Sequence, residues 1–366
     1  TAISSIPENL FAAQSAATIF TGAFSACVNL ESIPVSLMKG ATAAQDIKYM
    51  FAGCESVTEI PSGIFTSCST VTNLEYIFYK TGVRKLQKGI FEGLTGVKTL
   101  GAVFQGCPSL TEIEPGVFDG LTAAKSFRYC FSDCTSLRQI PSDLFRGLTS
   151  AYEFTYTFEN TALESVPEDL FAEARDYSSA DFTYMFADCA NLKTVPAGLF
   201  NTFTKVTSPG FKNLFYGSGI ETIPAGLFAK NTAVSTGFEE VFSNCTSLKT
   251  IEGPIFPESN SVSSLAYAFE NCTSLEAIPE GFFDAIAGSK TKFTATFVSC
   301  TSLKSLPAGL FAKNSLTTNF SGTFCGCSSL EEIPSDLMPV DSKATSVKEM
   351  FAECSSLKSV PSCLFA

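Results

Sequence analysis

Hydrophobic and polar positions along this chain repeat with a period of about 27 residues. One copy, residues 131–145, reads FSDCTSLRQIPSDLF, in which apolar residues are separated by small or polar ones. The phenylalanine that opens each copy recurs at intervals of 26 to 29 residues, as Phe24, Phe51, Phe78, Phe104, Phe131, Phe158, Phe186, Phe215, Phe242, Phe269, Phe297, Phe324 and Phe351. One such repeat cannot bury its own apolar face and must stack on its neighbours. The pattern therefore predicts a single solenoid domain over residues 1–366, with about fourteen turns.

The positions around each phenylalanine predict a helical element. An apolar residue lies four positions before it, another usually lies directly before it, and cysteine usually lies three positions after it. These inward positions follow the period of a helix, so we predict a short helix or helical turn that ends near the cysteine. A strand would also bury the position two before the phenylalanine, which holds Asn213, Glu240 or Glu349 in some copies. A strand stays the alternative, because segments such as FTYTF (154–158) alternate with a period of two.

The segment SLxxIP, which follows each cysteine, predicts one short parallel strand per turn. Proline cannot donate to a strand ladder, so each strand should end there, and PxxLF suits a helical turn that begins with proline. One position of this strand alternates in charge between successive turns: Arg138, Glu164, Lys193, Glu221, Lys249, Glu276, Lys304, Glu331 and Lys358. In an unslipped parallel sheet these side chains are neighbours about 4.8 Å apart, where opposite charges are favourable. The alternation predicts a fixed register and an exposed position.

Phenylalanine and cysteine both predict columns in the core. Each ring of the phenylalanine series is expected to lie on the rings of adjacent turns, and at ~1.5–3 kcal/mol per buried large side chain this column dominates stability. Ten of the 14 cysteines share the position three after the phenylalanine; they are Cys27, Cys54, Cys107, Cys134, Cys189, Cys245, Cys272, Cys300, Cys327 and Cys354. Side chains in such a column point the same way instead of towards each other. We therefore predict buried thiols and no disulfides.

Composition argues against several classes of chemistry. The chain has no histidine, so a Ser-His-Asp triad, a Cys-His pair and a histidine-ligated zinc site cannot be built from it. Its net charge is −12 and it has no cluster of lysine and arginine, which argues against a nucleic-acid partner. No apolar run approaches the length that spans a membrane. We predict no enzyme activity, no cofactor and no metal site.

Three copies carry a resemblance to a known family: MFAGCESVTEIPSGIF (50–65), MFADCANLKTVPAGLF (185–200) and MFAECSSLKSVPSCLF (350–365). They resemble the BspA-like leucine-rich repeats of bacterial surface proteins, with the core F-x-x-C-x-x-L-x-x-I, and the resemblance covers the whole chain. It implies an α/β solenoid, a leucine-rich-repeat right-handed superhelix with one short parallel strand plus short helical turns per ~27-residue repeat. It also implies export to the bacterial cell surface, with the leader or anchor outside this chain, and a role in adhesion.

Two functions remain as alternatives. The first is a monomeric, non-enzymatic binding module that recognises a protein or a glycan on a host or neighbouring cell. The second is a purely structural stalk or spacer. A binding module should carry an irregular edge where the repeat lapses, as in residues 201–217, inside the 29-residue turn, and in residues 252–260, where the Ile-Pro pair is missing. The candidate binding residues at these edges are Lys205, Lys212, Phe215, Tyr216, Phe256, Glu258 and Asn260.

Overall fold

The computed structural model describes residues 3–365 and divides the chain into two compact units, Thr1–Arg175 and Asp176–Ala366. Each unit is a stack of turns in which equivalent residues of successive repeats lie side by side. The hydrogen bonds between turns join residues about one repeat apart, as from Phe51 N–H to the carbonyl of Ile77. That the whole chain forms one continuous solenoid of about fourteen turns stays a prediction.

The strands of the solenoid are only two residues long. In the first unit, β1 (Lys85–Leu86) pairs in parallel with β2 (Glu112–Ile113), and in the second unit β3 (Thr222–Ile223) pairs in parallel with β4 (Thr250–Ile251). All four lie in the segment where the sequence predicts a strand. Isolated parallel bridges join further turns, as between Asn319 and Ser346. The part of the chain that the structure describes contains one 3-10 helix, Asp284–Ile286, and no α-helix.

The segment around each phenylalanine is a succession of β-turns, so the prediction of a helical element is wrong. At Phe51, each turn closes with a bond from an N–H to the carbonyl three residues back, as from Cys54 to Phe51 (3.2 Å). The residues two before and two after every phenylalanine of the series have positive φ, as at Tyr49 (55°) and Gly53 (72°). A left-handed residue at the third position of a turn is typical of type II turns. It also prevents an α-helix from continuing.

The remaining N–H groups of this segment bond to the next turn of the solenoid. Phe51 donates to the carbonyl of Ile77 (3.0 Å), and Gly53 donates to that of Tyr79 (2.7 Å). Local bonds and bonds between turns therefore alternate along the backbone, and each N–H has one partner. This alternation has the period of a strand, while the β-turns place the side chains inward at unequal spacing. The sequence therefore shows both the period of a strand and the spacing of a helix around each phenylalanine, although neither a strand nor a helix forms there.

The inward positions are as the sequence predicts. Ile47, Met50, Phe51 and Cys54 lie four before, one before, at and three after a phenylalanine of the series, and none of them is exposed to solvent. Within each unit, successive phenylalanines of the series stack with ring centroids 5.2 to 5.8 Å apart and ring planes within 15° of parallel. The predicted phenylalanine column is confirmed.

Two more phenylalanine columns complete the core. One comes from the LF pairs, as in the stack of Phe145 on Phe171 (5.7 Å), and the other comes from the position four before the series, as in Phe127 on Phe154 (6.0 Å). The columns meet edge to face, with Phe145 and Phe154 at 5.1 Å and 63°. Offset stacks and edge contacts are the arrangements that aromatic rings prefer. The chain therefore needs its many phenylalanines to fill three files of the interior.

The cysteine column places thiols beside backbone carbonyl groups. The Sγ atom of Cys54 lies 3.2 Å from the carbonyl oxygen of Phe24, one turn earlier, and Cys245 lies 3.1 Å from that of Phe215. Burial raises the pKa of Cys54 to about 11 and that of Cys245 to about 12, so both thiols stay protonated at neutral pH and can donate a weak hydrogen bond. Where threonine replaces cysteine, Thr81 donates to a carbonyl within its own turn instead, that of Phe78 (3.0 Å).

We expect Phe242→Ala to destabilise the protein by about 3–5 kcal/mol, because the ring stacks on Phe215 and Phe269 and its loss leaves a cavity. Urea unfolding followed by circular dichroism measures the effect. Phe365→Ala is the control, since that side chain is 56% exposed and its removal should change stability by less than about 0.5 kcal/mol. Equal effects of the two substitutions would contradict the role of the column.

The burial of the thiols predicts a decline of stability in alkali. From pH about 9, where an unfolded thiol ionises, to about 12, the folded Cys245 stays protonated while the unfolded state loses its proton. The free energy of unfolding should therefore fall as the pH rises through this window. In Cys245→Ser the slope should be shallower by up to one proton, or about 1.4 kcal/mol per pH unit. Urea unfolding at several alkaline pH values measures both slopes, and identical slopes would contradict the assignment.

Candidate binding surfaces

The charged position of the strand segment forms an exposed stripe in each unit. The N–H of Glu221 donates to the carbonyl of Lys193 (2.8 Å), and the N–H of Lys249 donates to that of Glu221 (3.0 Å), so the register is unslipped, as predicted. The Glu221 carboxylate lies 3.2 Å from the Nζ atoms of both lysines. In the first unit Arg138 and Glu164 form the same kind of pair. Because charges of opposite sign alternate, the stripe is nearly neutral along its length and attracts charged ligands poorly.

The two lysines of the first predicted edge, residues 201–217, are paired with acidic residues. Lys205 is exposed, and its Nζ atom lies 3.8 Å from Asp176 Oδ2. Lys212 is half-buried, and its Nζ atom lies 3.5 Å from Glu239 Oε2. Both cations are therefore accessible in part but already neutralised locally. The two lysines can therefore donate hydrogen bonds to a partner, but they do not create a region of net positive charge.

The two phenylalanines proposed for these edges are buried, and that part of the prediction is wrong. Phe215 is 0% exposed and stacks on Phe242 within the series, while Phe256 is 3% exposed and packs edge-on against Phe238 (5.4 Å). The two extra residues of the 29-residue turn lie before Phe211, so Phe215 keeps its place in the core column. Neither ring can contact a partner directly.

The second predicted edge, residues 252–260, is an open surface with two adjoining cavities. Glu258 and Asn260 are exposed, and both line a cavity of about 740 Å³ whose rim includes the ion pair of Asp284 and Lys313 (2.6 Å). Glu258 also lines a neighbouring cavity of about 750 Å³, which reaches Thr204. The structure thus brings part of the two irregular segments together around Glu258.

Sequence reasoning missed a file of tyrosines two positions before the phenylalanine series. Tyr49 stacks on Tyr76 at 4.7 Å and 4°, and Tyr129 stacks on Tyr156 at 4.6 Å and 12°. These residues have positive φ and lie half-buried or exposed. The signal was present, since tyrosine fills this position in six copies: Tyr49, Tyr76, Tyr129, Tyr156, Tyr184 and Tyr267. Because other copies have polar residues at this position, the sequence indicated only that the position lies outside the core.

The stacked turns, the short parallel strands and the inward leucine and isoleucine positions define a leucine-rich-repeat solenoid. The family described as BspA type leucine rich repeat region (6 copies) matches residues 4–124, 48–216, 182–282 and 212–358. The chain therefore belongs to this family. Leucine-rich-repeat proteins are in general non-enzymatic binding scaffolds, and proteins are among their partners. A search of curated protein sequences gives no match.

Several solved structures show a distant likeness. A leucine-rich repeat protein from Bacteroides ovatus is 19% identical, with 91% of this chain and 77% of that chain covered and a TM-score of 0.42. A leucine rich cell surface protein from Faecalibacterium prausnitzii is 18% identical, with 97% and 82% covered and a TM-score of 0.30. A chain of the Drosophila Toll–Spatzle complex is 18% identical, with 75% and 37% covered and a TM-score of 0.36. Within residues 3–365, no helix has the length and apolar character needed to cross a membrane.

We expect Lys249→Glu to lower stability slightly, because it places a carboxylate beside Glu221 and in the column that continues to Glu276. The loss should be larger at low than at high ionic strength, and urea midpoints at two salt concentrations measure it. Hydrogen bonds from Lys193 and Lys249 lower the pKa of Glu221, so its contribution is present above the pKa of an unfolded glutamate and lost as the pH falls.

Lys249→Gln is the matched control for this reversal. It removes the attraction to Glu221 without adding a negative charge, so its effect should be smaller and less sensitive to salt than that of Lys249→Glu. If the reversal and the neutral substitution have equal, salt-independent effects, the side chains of the stripe do not interact.

Proposed function

We propose that this chain is a non-enzymatic binding module, exported to the bacterial cell surface, that recognises a protein or a glycan on another cell. The family supports a binding scaffold, and the name of the Faecalibacterium prausnitzii relative supports a place at the cell surface. We further propose that the chain acts as a monomer and as one solenoid over residues 1–366. A structural stalk is the second candidate, favoured by the regular, self-neutralised stripe.

The single observation that carries the binding proposal is the open surface around Glu258. Regular copies place a compact turn here, whereas residues 252–260 contain Pro254 and Pro257 and form two large adjoining cavities. A stalk has no need for this irregularity, because regular stacking alone gives length. Irregular edges of rigid scaffolds are the places where binding residues concentrate.

The charges of this surface indicate the kind of contact it makes. Glu258 is exposed and no ion pair is found for it in residues 3–365, while the Asp284–Lys313 pair lies at the rim. A carboxylate beside hydroxyl and amide groups suits sugar hydroxyls or the N–H groups of a protein loop, which can donate to it. We therefore assign Glu258 and Asn260 the leading part in recognition, with Lys205, Lys212 and Tyr216 as candidates at the neighbouring segment.

We expect Glu258→Lys to abolish binding of the chain to whichever spots it recognises on a glycan array or on a panel of purified extracellular-matrix proteins. The substitution reverses a charge that lines both cavities. Glu92→Lys is the matched control, because Glu92 follows an LF-type pair in a regular copy of the first unit and is also exposed. Glu92→Lys should leave binding unchanged.

Two results would count against the proposal. Equal loss of binding in Glu258→Lys and Glu92→Lys would show that overall charge matters and that the surface around Glu258 does not. Absence of binding to either array by the unaltered chain would favour the stalk.

A further inference from the structure

The tyrosine file of the first unit is interrupted at one turn. Tyr76 and Tyr129 occupy equivalent positions, and the turn between them has Ala102 there. The preceding residue also changes, so the pair reads Gly-Ala at 101–102 where the neighbouring turns read Glu-Tyr and Arg-Tyr. One ring is therefore missing from an otherwise regular file.

The spacing of the file gives the size of this gap. On one side Tyr49 stacks on Tyr76 at 4.7 Å, and on the other side Tyr129 stacks on Tyr156 at 4.6 Å. Since Tyr76 and Tyr129 are two turns apart, the same step leaves about 9 Å between their ring positions. A flat ring placed midway would lie at about 4.5–5 Å from each tyrosine, which is within the stacking range of aromatic pairs.

A cavity of about 450 Å³ lies at this place. Tyr76 and Tyr129 form two of its walls, and Gly101 and Ala102 lie at its base. A side chain at Gly101 would crowd the cavity, because a Cβ atom there would lie 3.1 Å from the Cγ atom of Glu75. Ala102 itself is 1% exposed, so a guest would contact the tyrosine, glutamate and arginine walls more than the methyl group at the base.

The rim of the cavity carries more negative than positive charge. Glu75 and Glu153 supply two carboxylates, and Arg128 supplies one guanidinium, which lies over the Tyr129 ring at 5.1 Å. Because the other face of Tyr129 stacks on Tyr156 (4.6 Å), the guanidinium lies on the face that borders the gap, where a cation–π contact holds it. A guest must displace it from there to stack on Tyr129. The carboxylates are acceptors, so they suit a ring that carries an N–H or O–H donor on its edge.

We propose that the gap between Tyr76 and Tyr129 is a binding slot for one flat aromatic ring with a hydrogen-bond donor on its edge. The guest takes the place of the missing tyrosine, stacks between the two rings and donates to Glu75 or Glu153. Two sources supply such a ring: a free heteroaromatic compound, or a tryptophan or tyrosine side chain of a partner protein. The slot uses none of the residues around Glu258, so this proposal does not depend on the function proposed above.

The absence of tryptophan from the chain makes the test direct, because indole fluorescence then comes only from the probe. We expect free indole and the capped peptide Gly-Trp-Gly to bind, with a change in indole emission. Ala102→Tyr should weaken binding at least about tenfold, because it fills the slot with the side chain that the file uses elsewhere. The same substitution should leave folding intact, since six other copies carry tyrosine at this position.

Ala295→Tyr is the matched control. Ala295 occupies the same repeat position with positive φ, but it has a tyrosine on one side only, since Tyr267 precedes it and Gly322 follows it in the next turn. This variant should bind the probes as the unaltered chain does. Tyr129→Ala, which removes one wall, should weaken binding without filling the slot.

The two probes also identify the source of the ring. Equal affinity for indole and the peptide indicates that the slot reads the ring alone, while tighter binding of the peptide indicates a partner protein's side chain. Three outcomes would overturn the proposal: no change in emission with either probe at millimolar concentration, equal binding by the Ala102→Tyr variant, or binding of methyl glycosides without binding of indole.

Discussion

The structure depends on backbone N–H groups that alternate between hydrogen bonds within a β-turn and hydrogen bonds to the next repeat. Around each phenylalanine of the series, one N–H closes a β-turn and the next bonds to the following repeat. Positive φ two residues to either side of the ring makes this alternation possible. The turns fix the direction in which the ring points, and the bonds between repeats fix how far each ring lies from the next. Phenylalanine stacking, the cysteine column and the exposed stripe all inherit their spacing from this arrangement.

The sequence predicts the fold well at the level of repeats and poorly at the level of elements. Side chains recur at one position per turn, so the buried columns and the alternating charges of Glu221 and Lys249 could be located without coordinates. The local backbone conformation could not be predicted, because the residue type of left-handed residues such as Tyr49 does not indicate a positive φ. An inward spacing of three and four residues was therefore interpreted as a helix, whereas β-turns of alternating geometry produce the same spacing.

The candidate surfaces illustrate the same limit. The exposure of Glu258 and Asn260 could be predicted because the repeat visibly lapses around them, and both residues line a cavity. Phe215 was predicted to be accessible because it lies in an irregular segment. The ring nevertheless keeps its place in the buried phenylalanine column. The tyrosine file was missed because its position holds tyrosine in only six copies and small or polar residues in the others. Its interruption at Ala102 becomes visible only when the stacked rings on both sides define what is missing.

The alternating stripe restricts how the length of the array can change during evolution. If one copy were lost from between Lys193 and Lys249, the two lysines would become adjacent in the column, and if one copy were gained, two residues of the same sign would also meet. Loss or gain of two copies restores the order of signs. In the copies from Arg138 to Lys358, a change of copy number therefore keeps the order of signs only when it involves an even number of repeats. Repeats next to each other in the chain should consequently diverge in charge, while those two apart keep their likeness.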